Sequence, residues 1–281
     1  MTELLRVAGI SFRYDDRYLA LNKVSASFQA GELVAVLGSN GAGKSTFFLC
    51  LNGVLQPQEG SIYLHGDELG KSKKDVSRQR QAVGLVFQDP DSQIIAGSVE
   101  SEVSFGPMNL GLSLDQVKAQ VDESLAQMNI ENYRDYAPQY LSGGEKKRVS
   151  IADILAMRPE VILLDEPTAS LDPKNALALE EVLLTLSKLG IAIVISTHDV
   201  DFAYRIAKRA IVFSQGEILA DAPVEEVFAM TETLVQAGLK KPLLYEAWDS
   251  ISDKLDCSND IPRPKTIAEF QALVDSVLNC P

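Results

Sequence analysis

Short, β-branched apolar runs alternate along the chain with longer stretches in which apolar residues recur every three or four positions. Leu33–Leu37, Val83–Phe87, Val161–Leu164 and Ile191–Ile195 are runs of strand length with almost no polar interruption, the pattern of strands buried on both faces. Such strands, separated by helical stretches, predict an α/β fold with a largely parallel central sheet. The first thirty residues differ. Leu5 to Tyr14 and Val24 to Phe28, joined by the polar turn Asp15-Asp16-Arg17, predict an antiparallel edge sheet. Between Gln88 and Gln139 the period becomes helical, and Leu114, Val117, Val121, Leu125 and Met128 mark one amphipathic helix of a helical insertion. The strand signals stop after Ala222. Pro223 then opens a run of short helical patterns, and Glu246 to Asp260 carries five acidic residues against one Lys. Ile261-Pro262-Arg263-Pro264 predicts a stiff extended connector, with Thr266 capping a last helix and Glu269 at the capping-box position. The expected organisation is a main domain over 1–222, with a helical subdomain at about 89–158, and a C-terminal helical extension over 223–281.

Composition narrows the function classes. With 281 residues, 46% of them hydrophobic and 23% charged, the chain has a globular composition and enough length to bury a sizeable core. Its longest apolar runs, such as Ile191–Ile195, fall far short of the roughly 20 residues that a membrane-spanning helix needs. The net charge of −13, without a concentrated basic patch, argues against a nucleic-acid partner. The opening Met1-Thr2-Glu3-Leu4-Leu5-Arg6 lacks the pattern of a secretory signal, so a cytoplasmic protein is expected. Cys50, Cys257 and Cys280 are odd in number and have no metal-ligand spacing, which predicts neither a disulfide framework nor a zinc site.

Three motifs carry chemistry. Gly38-Ser39-Asn40-Gly41-Ala42-Gly43-Lys44-Ser45-Thr46 satisfies G-x-x-x-x-G-K-[ST] between a strand and a helical run. Its glycines let successive N–H groups converge on phosphates at a helix N-terminus, Lys44 adds a positive charge at the β- and γ-phosphates, and the Ser45 hydroxyl suits Mg²⁺. The bland alternative is a Gly-rich turn without a chemical role. Second, Asp165-Glu166 ends the strand Val161–Leu164. Asp165 is expected to hold Mg²⁺, mostly through water, and Glu166, aimed elsewhere along the pleat, to polarise an attacking water; a solvated strand end is the competing reading. Third, Leu141-Ser142-Gly143-Gly144-Glu145 precedes the helical run Lys146 to Met157 and offers another anion site, unless Ser142 is merely an N-cap with Glu145 closing a capping box.

Together these motifs resemble the nucleotide-binding subunit of ATP-binding cassette (ABC) transporters, whose LSGGQ signature here reads Leu-Ser-Gly-Gly-Glu. The resemblance covers residues 1 to about 222 and implies a P-loop ABC-ATPase fold with an antiparallel edge subdomain, a helical subdomain and a C-terminal extension. It also implies ATP and Mg²⁺ as cofactors, and a head-to-tail pair of ATPase subunits in which each ATP lies between the P-loop of one chain and residues 141–145 of the other. Position by position, Tyr14 resembles the aromatic residue that stacks on adenine, with Tyr18 as the competitor. Gln88 resembles the Q-loop glutamine that contacts Mg²⁺ and the membrane subunit. Asp172 resembles the D-loop aspartate, and His198, in Ser196-Thr197-His198-Asp199, the switch histidine at the γ-phosphate. His65 reads as a surface turn residue, and Ser170 stands where Gly is frequent before the D-loop.

A narrower resemblance lies in Phe87-Gln88-Asp89-Pro90-Asp91-Ser92-Gln93-Ile94 and Val103-Ser104-Phe105-Gly106-Pro107-Met108-Asn109-Leu110-Gly111-Leu112, which are similar to energy-coupling-factor ATPases, especially CbiO-like subunits of cobalt and nickel importers. This implies a second ATPase subunit, identical or a paralogue, together with a transmembrane coupling subunit and a substrate-binding membrane subunit, at the cytoplasmic face of the cell membrane. The coupling subunit would present short basic motifs to a groove, with Glu100 and Glu102 as acidic partners or simply as a solvated helix face. Vitamin uptake, and a soluble cassette ATPase without a membrane partner, remain the alternatives.

Overall fold

The computed structural model describes residues 2–15, 18–169, 171–252 and 262–278. Asp16 and Arg17 of the first turn, Ser170, the stretch from Asp253 to Ile261, Cys257 and Cys280 lie outside the described residues. In chain order the elements are β1 (Glu3–Arg13), β2 (Leu19–Gln29), β3 (Leu33–Leu37), α1 (Lys44–Asn52), β4 (Glu59–Leu64), β5 (Asp67–Glu68), α2 (Lys73–Ala82) and β6 (Val83–Val86). The helical stretch follows with α3 (Val99–Asn109), α4 (Leu114–Gln127) and α5 (Gly143–Leu155). The chain then returns to α/β order with β7 (Val161–Asp165), α6 (Pro173–Lys188), β8 (Ala192–Thr197), α7 (Val200–Ile206), β9 (Arg209–Ser214) and β10 (Glu217–Pro223). Four helices close it: α8 (Val224–Ala229), α9 (Thr231–Gln236), α10 (Leu243–Ser252) and α11 (Ile267–Leu278).

Two sheets form. β2-β1-β4-β5 is antiparallel, as the polar-turn hairpin at the start predicts, while the larger sheet runs β10-β9-β3-β8-β7-β6 and is parallel except for β10 on β9. All five residues of β3 are buried, and the two-residue period divides them. Leu33, Ala35 and Leu37 join one core with α6, α7 and the helical stretch. Val34 and Val36 join a second core with α1 and the antiparallel sheet, where Phe47 lies between Phe28 and Phe213. Burial on both faces explains why these strands read as unbroken apolar runs.

The structure corrects several boundaries and one stripe. α1 begins at Lys44, α5 spans Gly143–Leu155, β8 starts at Ala192 and runs on to Thr197, and the last strand ends at Pro223. In α4, Val117, Val121, Leu125 and then Met128 are buried, but Leu114 is 78% exposed: it occupies the first turn, next to a capping box between Ser113 and Gln116, where the helix emerges from the core. The closing helices pack against α7 through Tyr204, Phe228 and Tyr245. Arg263 stacks over the Tyr245 ring, 4.3 Å from its centroid, and pairs with Asp249. Thr266 and Glu269 exchange the two bonds of a capping box at the start of α11. No helix among the described residues is long and apolar enough to cross a membrane.

Candidate nucleotide site

Parallel order brings the candidate residues together. β6, β7, β8 and β3 run in the same direction, with Val86 beside Leu164, Asp165 beside Ser196 and Leu37 beside Thr197, so their C-terminal ends share one edge of the sheet. The loops leaving those ends hold Gln88, Glu166, His198 and the phosphate-binding loop, at the edge where open parallel sheets bind ligands. Asn40 through Thr46, Gln88, Asp165, Glu166 and Tyr18 line one cavity of about 160 Å³.

The loop from Gly38 to Gly43 needs its glycines. Gly38 has φ +153°, and a Cβ there would stand 2.5 Å from the Phe213 carbonyl oxygen; Gly43, the residue before α1, has φ +108° and no room beside the Ala20 carbonyl. No L side chain fits either place without moving backbone. Lys44, 6% exposed, folds back over the loop, and its Nζ donates to the Gly38 carbonyl at 2.7 Å and the Ser39 carbonyl at 3.2 Å. Desolvation lowers its pKa, against the opposing pull of Glu166 and Asp165. An ammonium group held by carbonyls at the mouth of a cavity suits an anion as partner.

Glu166 departs from the expected pleat alternation. Its φ is +43°, a left-handed conformation rare outside glycine, and its N–H donates to the Ser196 carbonyl at 3.0 Å. Oε1 meets His198 Nδ1 at 2.9 Å, and Oε2 accepts from the Thr197 hydroxyl at 3.2 Å. Glu166 is buried, whereas the His198 side chain is 63% exposed and its second ring nitrogen is left for another partner. Asp165 accepts from the Ser196 hydroxyl. Ser45, Gln88 and Asp165 thus offer a hydroxyl, an amide oxygen and a carboxylate toward one cavity, a donor set that fits Mg²⁺. Among the described residues no group of three or more His, Cys, Asp or Glu that could hold a metal ion stands together.

Tyr14 and Tyr18 stack on one another with centroids 6.4 Å apart. The Tyr14 hydroxyl lies 3.2 Å from Thr46 Oγ1, and the Tyr18 hydroxyl reaches the Gly41 carbonyl at 3.4 Å, so both rings border the loop. His65 is a turn residue at φ +52° between β4 and β5, paired with Glu160 at 2.9 Å.

Residues 141–145 lie elsewhere. Ser142 caps α5, and Glu145 accepts from the Ser142 N–H and hydroxyl, both at 2.7 Å; Tyr133 and Ser142 hold the Glu145 carboxyl below the usual carboxylate range. The capping box is therefore formed, while the N–H groups of Gly143 and Gly144 stay at the helix start. Gly144 has Asn175 against it, 2.7 Å from where a Cβ would be, and Asn175 donates twice to Asp172, whose carboxyl is held low by those bonds. None of Leu141, Ser142, Gly143, Gly144 or Glu145 lines the cavity that holds Lys44.

Sequence reasoning passed over Thr197, Ser196 and Asn175 as positioning groups, although the last stands three residues after Asp172, the usual reach of an N-cap. It also misplaced one acid. Glu102 is buried and turned inward, accepting from the N–H groups of Ile95 and Ala96, whereas the Glu100 side chain is 46% exposed and pairs with Arg134. A groove of about 740 Å³ between α2 and α3 has Leu85, Phe87 and Phe105 among its apolar lining, Lys71, Lys73 and Arg80 on its α2 side, and Asp153 as its acid. Ile95, Phe105 and Met108 are exposed nearby.

The chain matches the family model described as ABC transporter over residues 21–169. It is 45% identical over 239 residues to the energy-coupling factor transporter ATP-binding protein EcfA of Methanothermobacter thermautotrophicus, covering 85% of this chain and 77% of that protein. It is likewise 45% identical over 246 residues to the cobalt import ATP-binding protein CbiO of Rhodobacter capsulatus, covering 88% of each. Among solved structures, cbiO1 of Clostridium perfringens, part of the ABC transporter complex cbiONQ, superposes with a TM-score of 0.76 at 37% identity, covering 89% of this chain and all of that one. Likeness of this extent in both sequence and fold makes the chain an ATPase subunit of the ABC transporter family, of the energy-coupling-factor, CbiO-like kind.

Proposed function

We propose that this chain hydrolyses ATP at a site shared with a second ATPase subunit, identical or paralogous, and so powers import of cobalt or nickel ions through separate transmembrane coupling and substrate-binding subunits, at the cytoplasmic face of the membrane. The observation that carries the shared site is the separation of two anion-binding loops in one chain. Lys44 lines one cavity, and residues 141–145 stand outside it. Lys44 and the loop amides bind the β- and γ-phosphates, and Ser45, Gln88 and Asp165 hold Mg²⁺, which supplies charge neutralisation on the phosphates. Glu166 is the general base for the attacking water. The bonds from Thr197 and His198 fix its carboxylate, and the second nitrogen of His198 is left for the γ-phosphate, to which it donates in the imidazolium form. Tyr14 stacks on adenine, and Asp172 sets the start of α6 beside residues 141–145 of its own chain. Residues 1–222, with their helical part at about 89–158, form the ATPase domain, and residues 223–281 form an extension for pairing or regulation.

The cobalt reading rests on the likeness to CbiO of Rhodobacter capsulatus. The membrane partner is supported by the groove beside Phe87, whose apolar residues suit the apolar face of a docking helix; its charged residues, Lys71, Lys73 and Arg80 against Asp153, favour acidic rather than basic side chains on that helix. Replacement of Glu166 by Gln should lower turnover by about 10²–10⁴ while ATP still binds, and the variant should sediment as a pair in saturating Mg-ATP. Lone protomers under those conditions, with parental activity persisting at dilutions where no pairing occurs, would overturn the shared site.

A further inference from the structure

Lys147 stands out because lysine is almost never fully buried without a compensating partner, yet it is 1% exposed. It lies in the second turn of α5, two residues beyond Glu145, and its side chain crosses to the segment leaving β6. There Nζ donates to the Phe87 carbonyl at 2.8 Å and to the Gln88 carbonyl at 2.6 Å. Two further bonds fasten the same segment to the same helix. Lys146 Nζ meets Asp91 Oδ1 at 2.6 Å. The Gln93 side-chain amide accepts from the Phe87 N–H at 3.1 Å and donates to the Ser150 carbonyl at 3.2 Å. Residues 87–93 are thus stapled to the helix that residues 142–145 begin, and the innermost staple grips the backbone of the glutamine whose side chain faces the nucleotide cavity.

We propose that Lys147 is a positioning residue that locks the backbone of Gln88 to the start of α5, so that the glutamine at one nucleotide site and the Leu-Ser-Gly-Gly-Glu loop offered to the other site move as one body. The proposal rests on the reading of Gln88 as a group acting at the nucleotide. A side chain reaching across from α5 gives that coupling without touching substrate. Its two acceptors are backbone carbonyls, so it constrains where Gln88 sits while leaving the amide free. Any push on the groove beside Phe87 is then felt at both nucleotide sites together, because Phe87 belongs to the stapled segment.

A double-mutant cycle on the full chain, purified with whatever subunits accompany it, tests this by ATP turnover at saturating Mg-ATP and by binding of a fluorescent ATP analogue. Gln88→Ala alone should lower kcat by at least about tenfold, and if it does not, the reading of Gln88 itself fails. Lys147→Met keeps the apolar stem and removes the donors. It should lower kcat by a similar factor with analogue binding within about twofold of the parent, and should add little in the Gln88→Ala background. Lys147→Arg, which retains charge and can donate twice, should recover at least about half of the lost kcat. With Gln88→Ala impaired, a Lys147→Met loss of equal size in both backgrounds, or no loss in either, overturns the positioning role. If Lys147→Met does not fold, the same cycle with Lys147→Gln decides it by the same criteria.

Discussion

Lys44 and Asp153 each keep an ionisable group where water is scarce, and each predicts a different measurement. Lys44 Nζ bonds to two carbonyls of its own loop and feels Glu166 and Asp165 through their charge. Its charge is available to a triphosphate, and Lys44→Ala should abolish binding of a fluorescent ATP analogue; retained binding would remove Lys44 from the phosphate site. Asp153 is pushed up to about 7, chiefly by burial and then by Glu102, against the pull of the Gln93 amide. A carboxyl that the fold keeps protonated costs stability as pH rises from the ordinary carboxylate range near 4 to about 7, and the cost is constant above that. Asp153→Asn should therefore flatten the pH dependence of denaturant unfolding between about pH 4 and 7, and should be more stable than the parent at pH 8 by on the order of 1–3 kcal/mol. Parallel unfolding curves at all pH values would show that Asp153 ionises freely. Cys50 needs no function. It is fully buried, and burial pushes its thiol up to about 12, which accords with a purely structural reading.

Among the elements, the closing helices are fastened around Asp249 and Tyr245. Arg263 lies over Tyr245 and pairs with Asp249, Lys241 reaches toward the same aspartate, and the Asp201 carboxylate in α7 accepts from the Leu243 N–H at 2.7 Å, where α10 begins. Partly exposed contacts of these kinds are worth about 0.5–1 kcal/mol each. Arg263→Ala should lower the calorimetric Tm by about 2–6 °C, and an unchanged Tm would mean that the strap contributes nothing. Legibility from sequence followed the same division between local and distant contacts. The strands around the site were readable because each is an apolar run of its own, and the loop from Gly38 to Thr46, the Asp165-Glu166 pair and Ser142 with Glu145 were readable because they are contiguous in the chain. Lys147 was not, since its acceptors lie 60 and 59 positions away and nothing in a lysine on a helix announces them. Helical period misplaced Leu114, because it says which residues share a face but not that α4 emerges from the core at its first turn. The resemblance that offered Glu102 to a partner carried no sign that its side chain turns back onto the preceding loop. The left-handed turn at Glu166 was equally hidden, because the strand pattern alone continues the pleat.

For the whole molecule, a net charge of −13 and a groove with apolar walls point in one direction. The acidic field should keep the chain off double-stranded DNA at about 50 mM salt in a filter-binding measurement. The groove predicts that the chain leaves detergent-solubilised membranes together with a small hydrophobic subunit; recovery only with a soluble scaffold would remove the importer reading. The large sheet has a further consequence. Each of its central strands sends alternate side chains into opposite cores, as Val34 and Leu33 do in β3. It is a party wall with a tenant on either side, and neither side can be vacated while the other stays furnished. Heating should therefore give one endotherm for residues from both cores, with the fluorescence of Trp248, beyond the wall, following the same curve.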